Sequence, residues 1–182
     1  MSDGITIEFG PVERFVWRGM ARAGPVDTDW RLRLRVNGEY LPPMDEFHID
    51  GKYNVTLPPY NVIKAGAEFV LSDNRTAEYS VGRIDWNPND ASFTFRRHES
   101  GVDLCLTYVR RGFWATVSER AFATELIRSG REYLRLARDE VIPRTLENTK
   151  LHEQEAELHR EDLDELEALL DDLEDTIADL NE

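Results

Sequence analysis

The chain has 182 residues, with 36 acidic against 22 basic side chains and a formal net charge of −14. This length is enough for one domain with a buried core, and a 41% share of hydrophobic residues argues against a disordered protein. A single cysteine excludes an intramolecular disulfide framework and any multi-cysteine metal site. The acidic start lacks a secretory pattern, and no apolar run approaches the roughly 20 residues of a membrane span. We therefore expect a cytoplasmic protein.

The negative charge is concentrated at the C-terminal end. Residues 145–182 contain 15 acidic and two basic side chains, a net charge of −13, whereas residues 1–144 contain 21 acidic and 20 basic ones. A strongly negative segment repels nucleic acid and anionic membranes and attracts a basic protein surface. We therefore expect no nucleic-acid or membrane partner, and a basic surface either in a protein partner or in this chain.

The first half of the chain reads as strands followed by a short helix. In residues 31–36 arginine alternates with leucine or valine, and Asn37-Gly38 then supplies the two residues that accept positive φ in a type I′ hairpin turn. Asp50-Gly51 predicts a second hairpin. From about Pro59 to Leu71 the apolar residues follow a helical spacing, and proline suits a first helical turn.

The second half begins with a predicted meander and the helix that covers it. Residues 77–117 read as antiparallel strands, with turns at 87–90, 100–101 and 111–112. Thr116 and Glu119 have the spacing of a capping box, and apolar residues from Phe122 to Val141 then recur every three or four positions. Pro143 ends or kinks this helix. We expect the helix to lie across the sheet.

The last segment, from about Thr145 to Leu180, contains neither proline nor glycine and is predicted to be one acidic amphipathic helix. Its apolar residues follow the 3-4-3-4-3 spacing of a coiled-coil seam. We interpret this seam as a partner-binding or homo-oligomeric surface; its members are Leu163, Leu166, Leu170, Leu173, Ile177 and Leu180.

An intramolecular role for the acidic helix is the alternative. Four arginines on the Phe122 helix repeat at 3, 4 and 3 and form a charge stripe, namely Arg128, Arg131, Arg135 and Arg138. An acidic helix that folds back after Pro143 would place its carboxylates along this stripe. Exposed pairs contribute only about 0–1 kcal/mol each, so docking would also require apolar surface for the leucines. A fold-back hairpin and a projecting helix are both compatible with the pattern.

No catalytic or metal-binding constellation stands out. His152, Glu155, His159 and Asp162 share one face of the acidic helix, but in a segment this rich in carboxylates coincidence is the better explanation. The Arg96-Arg97-His98 run lies among aromatic residues, as in single-strand binders, yet arginine on the wet face of a strand is ordinary. We expect no cofactor and no metal.

The order of parts over residues 30–142 resembles that of small uncharacterised α+β proteins of the immunity type, which are encoded beside secreted toxins. This resemblance rests on organisation alone and transfers no functional residue.

We predict an α+β globular domain at 1–142, with an antiparallel sheet covered by a helix, followed by an acidic helical segment at 143–182. The leading function is a non-enzymatic protein-binding module that uses the acidic helix or the exposed sheet face. A structural protein oligomerising through the leucine seam and an enzyme with scattered site residues are the alternatives.

Overall fold

The structure, a computed structural model, describes residues 4–10, 17–21, 24–27, 31–41, 59–84, 87–108, 111–148 and 153–179. The fold is α+β, as the sequence predicted. The described elements, in chain order, are β1 (Ile5–Gly10), β2 (Trp17–Ala21), β3 (Gly24–Asp27), β4 (Arg31–Val36), β5 (Glu39–Leu41), α1 (Pro59–Leu71), β6 (Thr76–Ile84), β7 (Asn87–His98), β8 (Gly101–Tyr108), β9 (Arg111–Val117), α2 (Glu119–Leu136), a π-helical segment (Ala137–Val141), α3 (Ile142–Asn148) and α4 (Glu153–Asp179). None of the described helices is long and apolar enough to cross a membrane.

All described strand pairs are antiparallel. One sheet has the order β1-β4-β5, a second pairs β2 with β3, and the third is the meander β6-β7-β8-β9. The hairpin turn predicted between β4 and β5 is confirmed, because Asn37 and Gly38 both have positive φ, 52° and 89°. The hairpin predicted at residues 50–51 lies outside the described residues. The turn predicted at residues 87–90 is wrong, because these residues begin β7.

The meander buries one face, as its alternation requires. Phe93, Phe95 and Leu104 are almost completely buried against the helices, whereas Thr94 and Asp103 lie on the other face. Phe95 stacks on Phe69 of α1 at 5.3 Å between ring centroids and contacts Phe122 of α2 at 5.6 Å. Helices α1 and α2 therefore cover the sheet together, where the sequence predicted one covering helix.

The start of α2 differs from the predicted capping box, and of the two effects predicted for Pro143, an end or a kink, the helix does not end there. Ser118, not Thr116, is the N-cap, because its Oγ accepts the Ala121 N–H at 3.2 Å. Pro143 has no N–H to donate, and the helix passes through the π-helical segment before it, where the Ile142 N–H bonds the Ala137 carbonyl. The helical path then continues to Asn148, so the proline changes the winding rather than ending the helix.

Helix α4 folds back onto the rest of the chain. Leu163, Leu166, Leu170 and Leu173 are 0% exposed and share core clusters with residues of α1 and α2. Ile177 is partly buried on the same core, and Leu180 lies outside the described residues. These four leucines of the seam are therefore not available to a partner or to a second copy. This corrects the interpretation of the seam as a partner-binding or homo-oligomeric surface.

The physical reason for this docking is the size of the apolar contribution. Burying a leucine contributes roughly 1.5–3 kcal/mol, which exceeds the 0–1 kcal/mol of an exposed ion pair. A Cβ added to Gly130 of α2 would lie 2.5 Å from Leu170 and 3.2 Å from Ile63, so the three helices meet closely at this glycine. The described part of segment 143–182 therefore belongs to the same packed core as segment 1–142.

The predicted arginine stripe is used only in part by the acidic helix. Arg131 donates to Asp171 and Glu174, and Arg138 donates to Asp164 and Glu167. These hydrogen bonds raise the pKa of both guanidinium groups above the ordinary value. The remaining two arginines bind elsewhere, because Arg128 pairs with Glu125 and Glu132 of its own helix and Arg135 pairs with Glu140.

Candidate functional site

The face of the four-stranded sheet that points away from α1 and α2 is exposed, and we call it the outer face. Glu78, Arg96 and Thr116 are exposed on it, on three different strands. Trp114 of β9 also lies there and is 52% exposed, which makes it the large exposed hydrophobic residue among those that the structure describes. A single exposed aromatic residue is common on a protein surface, so its surroundings decide whether it has a role.

Those surroundings hold the indole in a defined position. The Arg96 guanidinium lies over the Trp114 ring, with Cζ 5.4 Å from the ring centroid. Beneath it is Gly112, because a Cβ added there would lie 3.3 Å from the indole Nε1 and 3.2 Å from the Cys105 Sγ. Cys105 is buried although it lies on the outer face, and burial raises the pKa of its thiol, which makes it a poor nucleophile.

A row of polar side chains crosses the outer face near the β7–β8 turn. The Ser100 Oγ is 3.0 Å from the His98 Nδ1, the His98 Nε2 is 3.0 Å from the Asp103 Oδ1, and Thr116 donates to the same carboxylate at 2.7 Å. The bond from Thr116 and the neighbouring His98 hold the pKa of Asp103 below its ordinary value.

This row has the residue types of a nucleophile, a base and an acid. Ser100 and His98 are exposed at a hairpin turn rather than enclosed in a pocket. A hydrolase site needs an enclosed pocket and donors for a developing oxyanion. We therefore read the row as the hydrogen-bonded end of a hairpin rather than as a catalytic site.

A groove of about 280 Å³ lies where the two larger sheets approach each other. One wall is formed by Val36, Glu39 and Tyr40 at the β4–β5 hairpin, and the other by residues 112–115 of β9. β5 and β9 are the terminal strands of their sheets, and no ladder joins them in the part of the chain that the structure describes. Trp114 therefore belongs both to the outer face and to this groove, which we call the β5–β9 groove.

The aromatic residue in each wall of the β5–β9 groove has an arginine stacked on it, although neither arginine lines the groove itself. Arg35 lies over Tyr40, with Cζ 5.6 Å from the ring centroid, as Arg96 lies over Trp114. Within the described residues, neither guanidinium forms an ion pair, although acidic side chains outnumber basic ones in this chain. Six other described arginines do pair with carboxylates, namely Arg97, Arg128, Arg131, Arg135, Arg138 and Arg160.

Arg97 has a structural role that the sequence pattern did not reveal. Its guanidinium donates to the carbonyls of Phe69, Val70, Ser72 and Asn74 at the end of α1, and its Nε donates to Glu119 at 2.8 Å. The last carbonyls of a helix lack partners within the helix, and one arginine supplies them here. The Arg97 guanidinium is thereby occupied by partners within the fold.

Glu125 and Arg128 form a second structural pair that sequence reasoning missed. Glu125 accepts the Ile7 N–H at 2.6 Å, and Arg128 donates to the Ile7 carbonyl at 2.9 Å. The two side chains satisfy the backbone N–H and carbonyl of one β1 residue, as the backbone of a neighbouring strand would. Glu125 is only 7% exposed. The only sequence signal is an i, i+3 acid–base pair on α2, which does not identify the strand that it contacts.

Of the four residues that share one face of the acidic helix, the structure describes the side chains of two, His159 and Asp162. His159 is buried and Asp162 half-buried, and burial raises the pKa of Asp162. His152 lies outside the described residues, as does the side chain of Glu155. The described residues contain no group of three or more His, Cys, Asp or Glu side chains that is arranged to hold a metal ion.

One line of carboxylates on α4 faces outward. Glu161, Asp172 and Asp175 are exposed, and in the described part of the chain none of them forms an ion pair. Ala168 is exposed on the same line, between Glu161 and Asp172. The neighbouring carboxylates of α4 are used by Lys64, Arg131 and Arg138.

Comparison of the chain with models of protein families, with curated proteins and with solved structures finds no match.

Proposed function

We propose that this protein is a non-enzymatic protein-binding module and that it binds its partner through the outer face of the four-stranded sheet. The observation that carries the proposal is Trp114, half-exposed on the sheet face that points away from α1 and α2, with the Arg96 guanidinium over its ring and Gly112 next to its Nε1. Tryptophan, tyrosine and arginine dominate the binding energy of protein interfaces. An indole held rigidly loses little conformational entropy when a partner covers it.

In the same function, the outward carboxylates of α4 have a second role, which is long-range electrostatic attraction of the partner. They attract a partner with a basic surface, as the sequence predicted, and raise the association rate more than the affinity. Neutralisation of a secreted toxin in the cytoplasm, as by the immunity-type proteins that the sequence resembles, is one form of this proposal.

The test is site-specific photo-crosslinking in a lysate of the native host. A photoreactive residue replaces Thr94 on the outer face in one variant and the exposed Ala168 on α4 in a second, so that neither variant loses a charge. We expect a discrete adduct from position 94, and we expect Trp114→Ala in the same chain to reduce it at least tenfold, about 1.4 kcal/mol of binding free energy.

The control is Glu78→Gln, which changes the same face without touching the indole. An adduct that forms only from position 168 would move the interface to α4. An adduct at position 94 that Trp114→Ala does not change, or no adduct from either position, would refute the proposed function.

A further inference from the structure

We infer that the β5–β9 groove binds an extended acidic segment of a protein partner, with carboxylates held by Arg35 and Arg96 and an apolar side chain placed between Tyr40 and Trp114. This inference rests on the proposed function, because the groove shares Trp114 with the outer face. It adds the location of the contact and the charge of the segment that makes it.

The two arginines carry the charge argument. Arg97, which neighbours Arg96 in sequence, is stacked on Phe69 and also paired with a carboxylate, whereas Arg35 and Arg96 are stacked on aromatic rings without an ion pair in the described structure. The Arg35 Nε donates to the Gly38 carbonyl at 3.1 Å, which fixes the guanidinium and leaves its two terminal nitrogens for a ligand. An arginine held on a ring presents these donors in a fixed plane, which matches the two oxygens of a carboxylate.

Stacking distinguishes the groove arginines from other unpaired ones. Arg75 and Arg120 also form no ion pair within the described residues, but they have no aromatic partner there. Their side chains are exposed and have no ring to fix their orientation. Arg75 and Arg120 therefore serve as matched controls, because their removal takes away the same positive charge without removing a guanidinium that is stacked on a ring.

The groove itself is suited to a polypeptide backbone. Gly112 exposes main chain in its wall, and β9 is a terminal strand whose outer backbone groups are not used by a ladder in the described structure. The indole N–H of Trp114 has no acceptor among the described residues and is a further donor. Extended peptides bind to such strand edges through main-chain hydrogen bonds, and pockets beside the edge select their side chains.

The strongly negative charge of the chain does not prevent this contact. The outward carboxylates lie on α4, which packs on the helix side of the molecule, whereas the groove opens at the sheets. Exposed charges separated by more than about 8 Å are largely screened at physiological salt. A peptide with two or three carboxylates therefore experiences mainly the local charges, which are the attractive Arg35 and Arg96 and the repulsive Glu39 of the groove wall.

A single-stranded nucleic acid is the less favourable occupant. One face of the exposed Trp114 ring is already covered by Arg96, which leaves a single free face for base stacking there. Single-strand binders instead offer a positively charged groove and several free rings for successive bases.

The test is fluorescence anisotropy with the full chain and a labelled nonapeptide of alternating glutamate and valine. Its counterpart with lysine in place of glutamate and a nonamer of oligothymidylate are the competing probes. We expect the glutamate peptide to bind at least tenfold more tightly than the lysine peptide or the oligonucleotide, and to bind more weakly as salt is raised. Arg35→Ala with Arg96→Ala should weaken binding at least tenfold, whereas Arg75→Ala with Arg120→Ala should leave the affinity within twofold.

Glu39→Gln gives a test of opposite sign. Glu39 is the acidic side chain in the groove wall, so its replacement by glutamine should strengthen binding of the glutamate peptide at least twofold. The inference is refuted if this variant binds less tightly, if either competing probe binds as well as the glutamate peptide, if the two double arginine variants behave alike, or if no binding is seen up to about 1 mM peptide. These results would not affect the proposed function, which is tested separately by crosslinking from position 94. If that crosslinking depends on Trp114, the outer face binds a partner even though the groove does not bind an acidic peptide.

Discussion

Single side chains with several partners hold together parts of the chain that are distant in sequence. Arg97 links the end of α1 to the start of α2, through four carbonyls and the Glu119 carboxylate. Its neighbour Arg96 points to the opposite side of β7 and stacks on Trp114. Two adjacent arginines thus have different tasks, because successive side chains of a strand point to opposite faces.

Replacement of these two arginines should have unequal effects on stability. Arg97→Ala should lower the free energy of unfolding by about 2–3 kcal/mol, because it leaves several partly buried carbonyls without donors. Arg97→Lys should restore less than half of the loss, since an ammonium lacks the planar fork. Arg96→Ala is the matched control, with an expected change below about 0.5 kcal/mol. Urea denaturation measures all three, and equal losses at positions 96 and 97 would contradict this account.

Asp103 should make stability depend on pH in the acid range. Its pKa is lowered in the folded state, first by the hydrogen bond from Thr116 and then by His98. The contribution is therefore present above the unfolded pKa of about 3.9 and is lost as the pH falls through the folded pKa. We expect Asp103→Asn to be less stable than the native chain at about pH 7 and to differ little from it at about pH 2.

Thermal denaturation across this pH range measures the Asp103 effect. Thr116→Val should show the same trend with a smaller amplitude, because it removes only one of the three groups, Thr116, His98 and Arg96, that lower the pKa of Asp103. A stability difference between Asp103→Asn and the native chain that grows as the pH falls would contradict the assigned sign.

At the scale of elements, the junction of α1, α2 and α4 depends on a small residue facing a large one. Gly130 of α2 has no side chain, and Leu170 of α4 occupies the space beside it. Ile63 of α1 contacts the same position. Glycine at this position of α2 is less favourable than alanine by about 1 kcal/mol of helix propensity. This cost allows α4 to pack closely against α2. The sequence places Gly130 on the apolar stripe of α2, but periodicity does not reveal which element fills the space beside it.

A double-mutant cycle tests this junction. Leu170→Ala should cost about 2–5 kcal/mol through the cavity that it leaves. Gly130→Ala should destabilise the native chain by overpacking, yet it should stabilise the Leu170→Ala background by filling part of the cavity. The expected coupling exceeds about 1 kcal/mol, and additive effects would show that the two residues do not pack together.

At the scale of the whole molecule, α4 completes the core on the side away from the sheet. Helix α1 is buried around most of its circumference, which requires cover on two sides. The sheet supplies one cover and α4 supplies the other. The acidic charge of α4 contributes to docking mainly through Arg131 and Arg138, while the outward line of carboxylates remains in solvent.

Truncation after Asn148 should therefore prevent stable folding. Loss of four fully buried leucines removes more than about 6 kcal/mol, which is comparable with the total stability of an ordinary domain. The control neutralises the outward line with Glu161→Gln, Asp172→Asn and Asp175→Asn, and its Tm should stay within a few degrees. Circular dichroism and light scattering measure both chains. A truncated chain that keeps its Tm would show that α4 is a separate element.

Local pattern was enough to predict the α+β class, the hairpin at Asn37-Gly38, the bounds of α1 and the amphipathic character of α4. These features depend on residues that are neighbours along the chain, through turn conformation and the periods of strand and helix. The leucine spacing does not decide between a projecting and a docked α4, because both arrangements bury leucines with the same spacing. Only the tertiary structure shows that α1 and α2 supply the apolar surface.

The candidate site was predictable only in outline. An exposed sheet face follows from alternation, but the stacking of Arg35 on Tyr40 and of Arg96 on Trp114, and the groove between them, join strands from two sheets. In the same way, Arg97 and Arg128 are determined by carbonyls that lie 23 or more residues away. Periodicity determines which side of an element is apolar, whereas contacts across the fold determine what that side meets.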